Sequence, residues 1–360
     1  MSAPRHLRWI VALSVALILA AALRPVPTSA PIEASARFTT CVICGDRGVA
    51  DAILNVLLFA PLGVALALGP SSGRRVVVLA GALSAAIEIL QLAIAGRHAS
   101  LGDVIFNALG ATLGLLLVRR WGALFHAPPT RAARLSLVVA VLAVGVFGLT
   151  GYFLAPAFPL SSYHARWTPT VNVTDPYRGR VLAASVGGEP LPAGPLTQSA
   201  SITPALRGGE PFRVTIVAGP PPSRMAPIVG IYDYLLREIA IIGADGQHLV
   251  WRYRTRGRSW RLDQPDLQIT RALGSGAVRI GDTIDVVVRR NTPAWTVEVN
   301  ERLYRRGFSV GWGWGWLLPL ERVTPRTATL LGFCWMAGLL LPFGYWARLR
   351  WESLMAAGMV

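Results

Sequence analysis

Three pairs of polar side chains at helical spacing interrupt otherwise apolar runs: Asp51 with Asn55, Glu88 with Gln91, and Asp103 with Asn107. Residues three or four apart share one helix face, so each pair makes a polar stripe, and Ser84 extends the second by one turn. A carboxylate near a bilayer centre costs about 2.5 kcal/mol or more, so an acid kept there is expected to bind a polar ligand, pair with a cation or carry protons. Arg97 stands between Glu88 and Asp103 and supplies one guanidinium of the kind that binds phosphate. Gly110 and Gly114 continue the Asp103 stripe with the spacing that lets another helix approach closely. A structural reading stands beside the functional one. Asp51 reads as an N-cap, and Ser100-Leu101-Gly102-Asp103 reads as a capping box with Asp in place of Glu. Asn55 and Asn107 read as bridges between helices. Glu88 is different, because an acid in mid-helix caps nothing.

Other chemistry is sparse. Cys41 and Cys44 form a CxxC, read as a small disulfide loop. A zinc site would need two more ligands and a redox site a βαβ context, so no metal and no cofactor is expected. His6, His98, His126, His164 and His248 are scattered, and only His98 adjoins the acids. Cys334 reads as apolar filler. GxSxG, P-loop, dinucleotide and HExxH patterns are missing, which leaves no catalytic residue to name.

The elements that must position these groups are apolar. The chain has 360 residues, 53% hydrophobic and 15% charged, with mean hydropathy +0.47. Soluble domains carry roughly a quarter charged residues, so this is a membrane-protein composition. The net charge is +16 and all 35 basic residues are Arg, a usage that fits a GC-rich genome and is no sign of nucleic-acid binding. Six segments are long and apolar enough to span: Leu7–Leu23, Asp51–Leu68, Val76–Ile94, Asp103–Val118, Leu135–Leu154 and Thr327–Trp346. One set of ends holds ten arginines (Arg5, Arg8, Arg74, Arg75, Arg119, Arg120, Arg131, Arg134, Arg348 and Arg350) and the opposite short loops hold four (Arg24, Arg37, Arg47 and Arg97). The bias puts both termini in the cytoplasm and residues 24–50, 95–102 and 155–326 outside. The three acids then lie toward the outer leaflet, with Glu88 about 9 Å from the outer end of its helix. The first segment also fits a cleaved signal peptide ending near Ser29-Ala30, but its length favours a retained helix.

Residues 155–326 read as β structure. Short runs recur at Phe212–Ala218, Ile228–Tyr232, Glu238–Ile242, His248–Arg254, Thr283–Arg289 and Trp295–Val299, punctuated by turn residues and without intervening helices, the pattern of a β-sandwich. In the strand around Trp251, alternation sends Trp251, Tyr253 and Thr255 to a core and Arg252, Arg254 and Arg256 to a solvated ladder. The alternating Gly311–Trp316 run reads as an interfacial aromatic anchor.

Asp51-x3-Asn55-x3-Phe59-x-Pro61-Leu62-Gly63, followed by Glu88-x2-Gln91 and Arg97-x5-Asp103-Val104-x2-Asn107-x2-Gly110-x3-Gly114, resembles the VanZ-like membrane family over about residues 1–155. The resemblance implies a part in low-level resistance to the glycopeptide teicoplanin, and motif positions at Asp51, Asn55, Glu88, Gln91, Arg97, Asp103 and Asn107. Residues 227–255, with later strands at 285–288 and 297–300, resemble a laminin-G or concanavalin-type jelly roll, which implies a glycan-binding module.

The sequence thus predicts an α-helical polytopic protein of the bacterial inner membrane. It has a VanZ-like domain over 1–155, an extracytoplasmic β-sandwich over 156–320, and a last helix with a cytoplasmic tail over 321–360. The expected role is an envelope factor, with membrane lipid, a lipid-linked cell-wall or polysaccharide precursor and glycan as partners. Two other readings stay open: an enzyme on a lipid-linked substrate with Glu88 or Asp103 as acid/base, and a proton-coupled carrier.

Overall fold

The structure is a computed structural model that describes residues 5–25, 38–94, 97–170, 174–196, 199–274, 278–318 and 323–357. Its helices are α1 (Arg5–Ala22), α2 (Gly48–Ala67), α3 (Gly73–Gln91), α4 (Leu101–Arg119), α5 (Trp121–Phe125), α6 (Pro129–Leu154), α7 (Ser199–Gly208) and α8 (Pro325–Ala357). The chain divides into two compact units, one of residues 1–145 with 336–360 and the other of residues 146–335. The division falls inside α6 and α8.

Helices occupy all six apolar segments. Four are long and apolar enough to cross a membrane: α2, α4, α6 and residues 326–351 of α8. The apolar part of α1, His6–Ala22, is shorter. In α3, the arginines 74 and 75 and Glu88 dilute the apolar run. The residues around Ser29-Ala30 lie outside those described.

In the first unit, α2 and α4 pack most closely. Gly63, Gly110 and Gly114 permit this, because a Cβ on any of them would overlap a backbone carbonyl of the facing helix: Ala111, Val56 and Ala60 respectively. The small-residue spacing read from the sequence therefore serves a real close approach. Ile18, Phe59, Leu62, Ala80, Ile87 and Ala111 form the core where α1 to α4 meet. The outer surface stays apolar: Leu57, Ile89 and Leu137 are all exposed, as expected of helices solvated by lipid.

The second unit is mostly β, with α7, two 3-10 turns (Arg256–Trp260 and Val310–Trp316) and the end of α6 and start of α8 that belong to it. Its strands are β1 (Tyr163–Trp167), β2 (Arg180–Val186), β3 (Glu189–Pro190), β4 (Gly194–Pro195), β5 (Phe212–Val217), β6 (Ala226–Asp233), β7 (Glu238–Asp245), β8 (His248–Tyr253), β9 (Leu267–Ile269), β10 (Thr283–Asn291), β11 (Ala294–Val299) and β12 (Arg302–Arg306). Among the described residues they form two antiparallel sheets, in the orders β4-β1-β6-β7-β8-β9 and β12-β11-β10-β5-β2-β3. Residues of both sheets share one core, consistent with a β-sandwich. At its centre the Trp251 ring lies 5.2 Å from that of Trp295 and 5.6 Å from that of Phe212.

All six predicted strands overlap observed ones. β1 to β4, β9 and β12 are additional, and several are too short to show alternation. The arginine ladder is corrected. β8 ends at Tyr253, so Arg254 and Arg256 leave the strand, and Arg252 is mostly covered, gripping Asp266 and Glu238. Arg256 instead lies over the Tyr152 ring at 4.9 Å. The tryptophan run takes a form that the sequence does not show. It coils into a 3-10 turn, Val310–Trp316, in which Trp314 is buried in protein and stacks on Trp312 at 5.3 Å. Gly313 is required there: a Cβ would come within 2.6 Å of the Trp335 ring and 2.7 Å of Thr150 Oγ1.

Candidate functional site: a polar cluster across three helices

The head of α4 organises the cluster. Ser100 is its N-cap, with extended backbone, and its Oγ accepts the Asp103 N–H at 3.0 Å. That is one half of a capping box. In the usual box the third helical residue returns the bond to the cap's own N–H. Here a different helix does so: the Ser100 N–H donates to Glu88 Oε2 of α3 at 2.7 Å. Asp103 is released to a neighbour, and its Oδ1 accepts Asn55 Nδ2 of α2 at 2.6 Å. A turn deeper, Asn107 Nδ2 donates to Ser84 Oγ at 2.8 Å, joining α4 to α3. Glu88, Ser84 and Asn107 are all buried. Asn107 Oδ1 is buried too and has no hydrogen-bond partner among the described residues. α2, α3 and α4 are thus linked by polar contacts on the faces where the sequence places the stripes.

Two predicted members make their hydrogen bonds to the end of α1, although the Arg97 charge still acts on Glu88 and Asp103. Gln91 Nε2 donates to Ala22 O at 3.0 Å, and Arg97 donates through Nε to Arg24 O at 3.0 Å and through Nη2 to Ala21 O at 2.9 Å. Both satisfy carbonyls at the end of α1 that helix geometry leaves without partners. Asp51 sits inside the first turn of α2, whose N-cap is Arg47, so the N-cap reading of Asp51 is corrected. Its carboxylate is 52% exposed and lies 3.9 Å from Arg47 Nη2. A negative charge there still complements the helix dipole.

The first loop lies over the cluster. Cys41 and Cys44 are joined in a disulfide with Cα atoms 5.8 Å apart, as the CxxC predicts. Thr39 pairs with the α4 cap: its N–H donates to Ala99 O and its carbonyl accepts the Leu101 N–H, both at 3.0 Å. Gly102 admits the loop, since a Cβ would overlap the Val42 carbonyl. Among the described residues no group of three or more His, Cys, Asp or Glu is arranged to hold a metal ion. Sequence reasoning missed Thr39, because nothing local marks a backbone pairing 61 residues away.

The arrangement presents two carboxylates of different accessibility, Glu88 buried and Asp103 half-buried, each holding one hydrogen bond from a neutral partner. Such groups can accept hydrogen bonds from a ligand's hydroxyls or amides, or take up a proton. No curated protein and no solved structure matches the chain. Residues 9–125 match the family model VanZ/LLP1, a stretch that takes in most of α1, all of α2 to α5 and the whole polar cluster.

Proposed function

We propose that the chain is a multi-pass protein of the cell envelope whose α2–α3–α4 cluster receives the polar head of a lipid-linked envelope precursor in the outer leaflet. The observation that carries this reading is the linkage of Asn55 to Asp103 beside the Glu88–Ser100 bond, which keeps two carboxylates on adjoining helices near one end. The arginines gather at the other helix ends, which by the positive-inside bias turns the acids outward. The chain between α6 and α8 then emerges on that outer side, where its β-sandwich would meet glycan. The family match and the motif positions favour a role in the response to glycopeptides such as teicoplanin.

The test is teicoplanin sensitivity of a Gram-positive host expressing the intact chain, Glu88→Gln, Asp103→Asn, or a chain lacking residues 160–320, at matched membrane levels. The intact chain should protect, and either carboxylate variant should lose most of the protection. Protection that survives both carboxylate variants would remove the cluster from the function.

A further inference from the structure

The second unit carries an apolar patch at one end of its first sheet. The turn between β6 and β7 presents three consecutive large side chains: Tyr234, Leu235 and Leu236 are 63%, 56% and 50% exposed. Turns in water are built mainly from small and polar residues, so such a run calls for a partner. The turn is firmly held. Buried Asp233 accepts the Leu235 and Arg237 N–H groups through Oδ1 at 3.0 and 2.9 Å, and Arg237 Nε donates to its Oδ2 at 2.7 Å. The Leu236 N–H donates to the Asp233 carbonyl at 2.8 Å. These three backbone donors are already satisfied, so the tip can leave water without stranding them.

Sheet register places the tip. β8 runs toward the end of α6: the Tyr253 hydroxyl donates to the Leu154 carbonyl at 3.2 Å, Thr255 bridges to Pro156, and the Arg256 N–H donates to the Ala155 carbonyl at 2.9 Å. β7 runs antiparallel to β8, with Ala240 opposite Tyr253 and the Arg254 N–H on the Ile239 carbonyl, so Glu238 comes level with Thr255. The turn before Glu238 projects past that level, on the side from which α6 arrives. α6 is one of the helices long and apolar enough to cross a membrane. Other exposed apolar side chains gather at this end: Leu160, just before the Tyr163–Asp233 pair, and Trp260, whose ring lies 6.2 Å from that of Phe153 in the last turn of α6. The turn at the opposite end of the sheet, between β7 and β8, is Asp245-Gly246-Gln247-His248 and holds no apolar side chain.

We infer that the β6–β7 turn is a membrane anchor: Tyr234, Leu235 and Leu236 enter the interfacial layer of the leaflet from which α6 emerges. A tyrosine suits that layer, because its ring is apolar and its hydroxyl stays wet. Lipid is the occupant because the tip lies level with the end of a spanning helix, where the surroundings are the bilayer edge. α6 and α8 already tether the sandwich, and the turn fixes which end of the sheet faces lipid. This inference needs α6 to span, and nothing of what the polar cluster binds.

The test uses full-length protein carrying Cys334→Ser and one added cysteine: Leu235→Cys or Tyr234→Cys at the tip, or Gln247→Cys at the opposite turn. Each is labelled with an environment-sensitive fluorophore and reconstituted into vesicles of phosphatidylcholine and phosphatidylglycerol. Nitroxide-bearing lipid should quench both tip labels several-fold more strongly than the Gln247→Cys label. Iodide present on both faces should quench the Gln247→Cys label several-fold more strongly than either tip label. Leu236→Asp, a residue type that accepts the left-handed backbone at that position (φ 58°), should bring the Leu235→Cys label back into reach of iodide. Equal iodide access at the two turns, lipid quenching unchanged by Leu236→Asp, or a tip label shielded from iodide yet untouched by nitroxide lipid, as in a contact with protein, would overturn the proposal.

Discussion

Glu88 on α3 accepts the backbone N–H of Ser100 at the head of α4, at 2.7 Å, and so does for α4 what its own third residue would do in an ordinary capping box. One carboxylate both belongs to the candidate site and closes a helix end. The two roles separate by substitution. Glu88→Gln retains an oxygen for the Ser100 N–H and should keep stability within about 1 kcal/mol of wild type. Glu88→Ala strands a half-buried donor and should cost about 1–2 kcal/mol. Thermal unfolding in detergent reads the difference, and equal losses for the two variants would show that the hydrogen bond contributes nothing.

The α2–α4 seam makes a steric prediction. Gly110→Ala or Gly114→Ala pushes a methyl group into a facing carbonyl and should lower stability by about 1–3 kcal/mol, the usual range for overpacking. Gly145→Ala and Gly148→Ala on α6 meet open space and should be neutral or slightly stabilising. Melting temperatures of the four single variants decide it; the same change at all four would mean that the close approach contributes nothing measurable.

How far the sequence reached is clear from these residues. Apolar run length located six helices, because bilayer solvation writes itself into composition. The Gly110 and Gly114 spacing, and the stripes that carry Asn55 and Asp103, were legible because helical periodicity sets them, but the bond between Asn55 and Asp103 was not. The partner of Glu88 was not, since it depends on how α3 meets the head of α4. Arg97 has its charge within reach of Glu88 and Asp103, while its hydrogen bonds to α1 were not legible, since they depend on carbonyls that become available only once α1 ends nearby. Alternation assigned Arg252 to solvent because it cannot see the acids on the adjacent strand β7 and before β9 that cover it.

That covering has an energetic consequence. Arg252 binds Asp266 through Nε and Nη2 at 2.5 and 2.9 Å and Glu238 through Nη1 at 3.2 Å, while the Asp266 side chain is only 5% exposed. Arg252→Met leaves that carboxylate buried without its cation and should cost about 3–5 kcal/mol. Adding Asp266→Leu should recover much of the loss. Denaturant unfolding followed by tryptophan fluorescence reports both. A double variant no better than the single would show that packing around Arg252, not charge, is what matters.

A pH dependence follows from Asp175. The Ser223 hydroxyl at 2.6 Å is the main cause that holds its carboxyl below the usual aspartate value of 3.8, helped by the Arg224 and Ser223 N–H groups, both at 2.9 Å, and by the Arg224 side chain. A lowered folded value means that the ionised form stabilises the fold. That contribution is complete above the ordinary aspartate value and is lost as pH falls through the lowered one. Asp175→Asn should weaken the Ser223–Arg224 turn at neutral pH and flatten its response below about pH 4. Amide exchange at Ser223 and Arg224 measures this, and an unchanged acid response in the variant would assign the effect to another group.

The glycine seam also bears on biogenesis. The closest packing partner of α2 is α4, the second helix after it in the chain, and α4 supplies both Asp103 to Asn55 and the Ser100 N–H to Glu88. A chain that has delivered only α1 to α3 therefore holds Asn55 and Glu88 without the partners that later satisfy them. Synthesis of α4 is the step that completes the polar contacts of α2 and α3 at once.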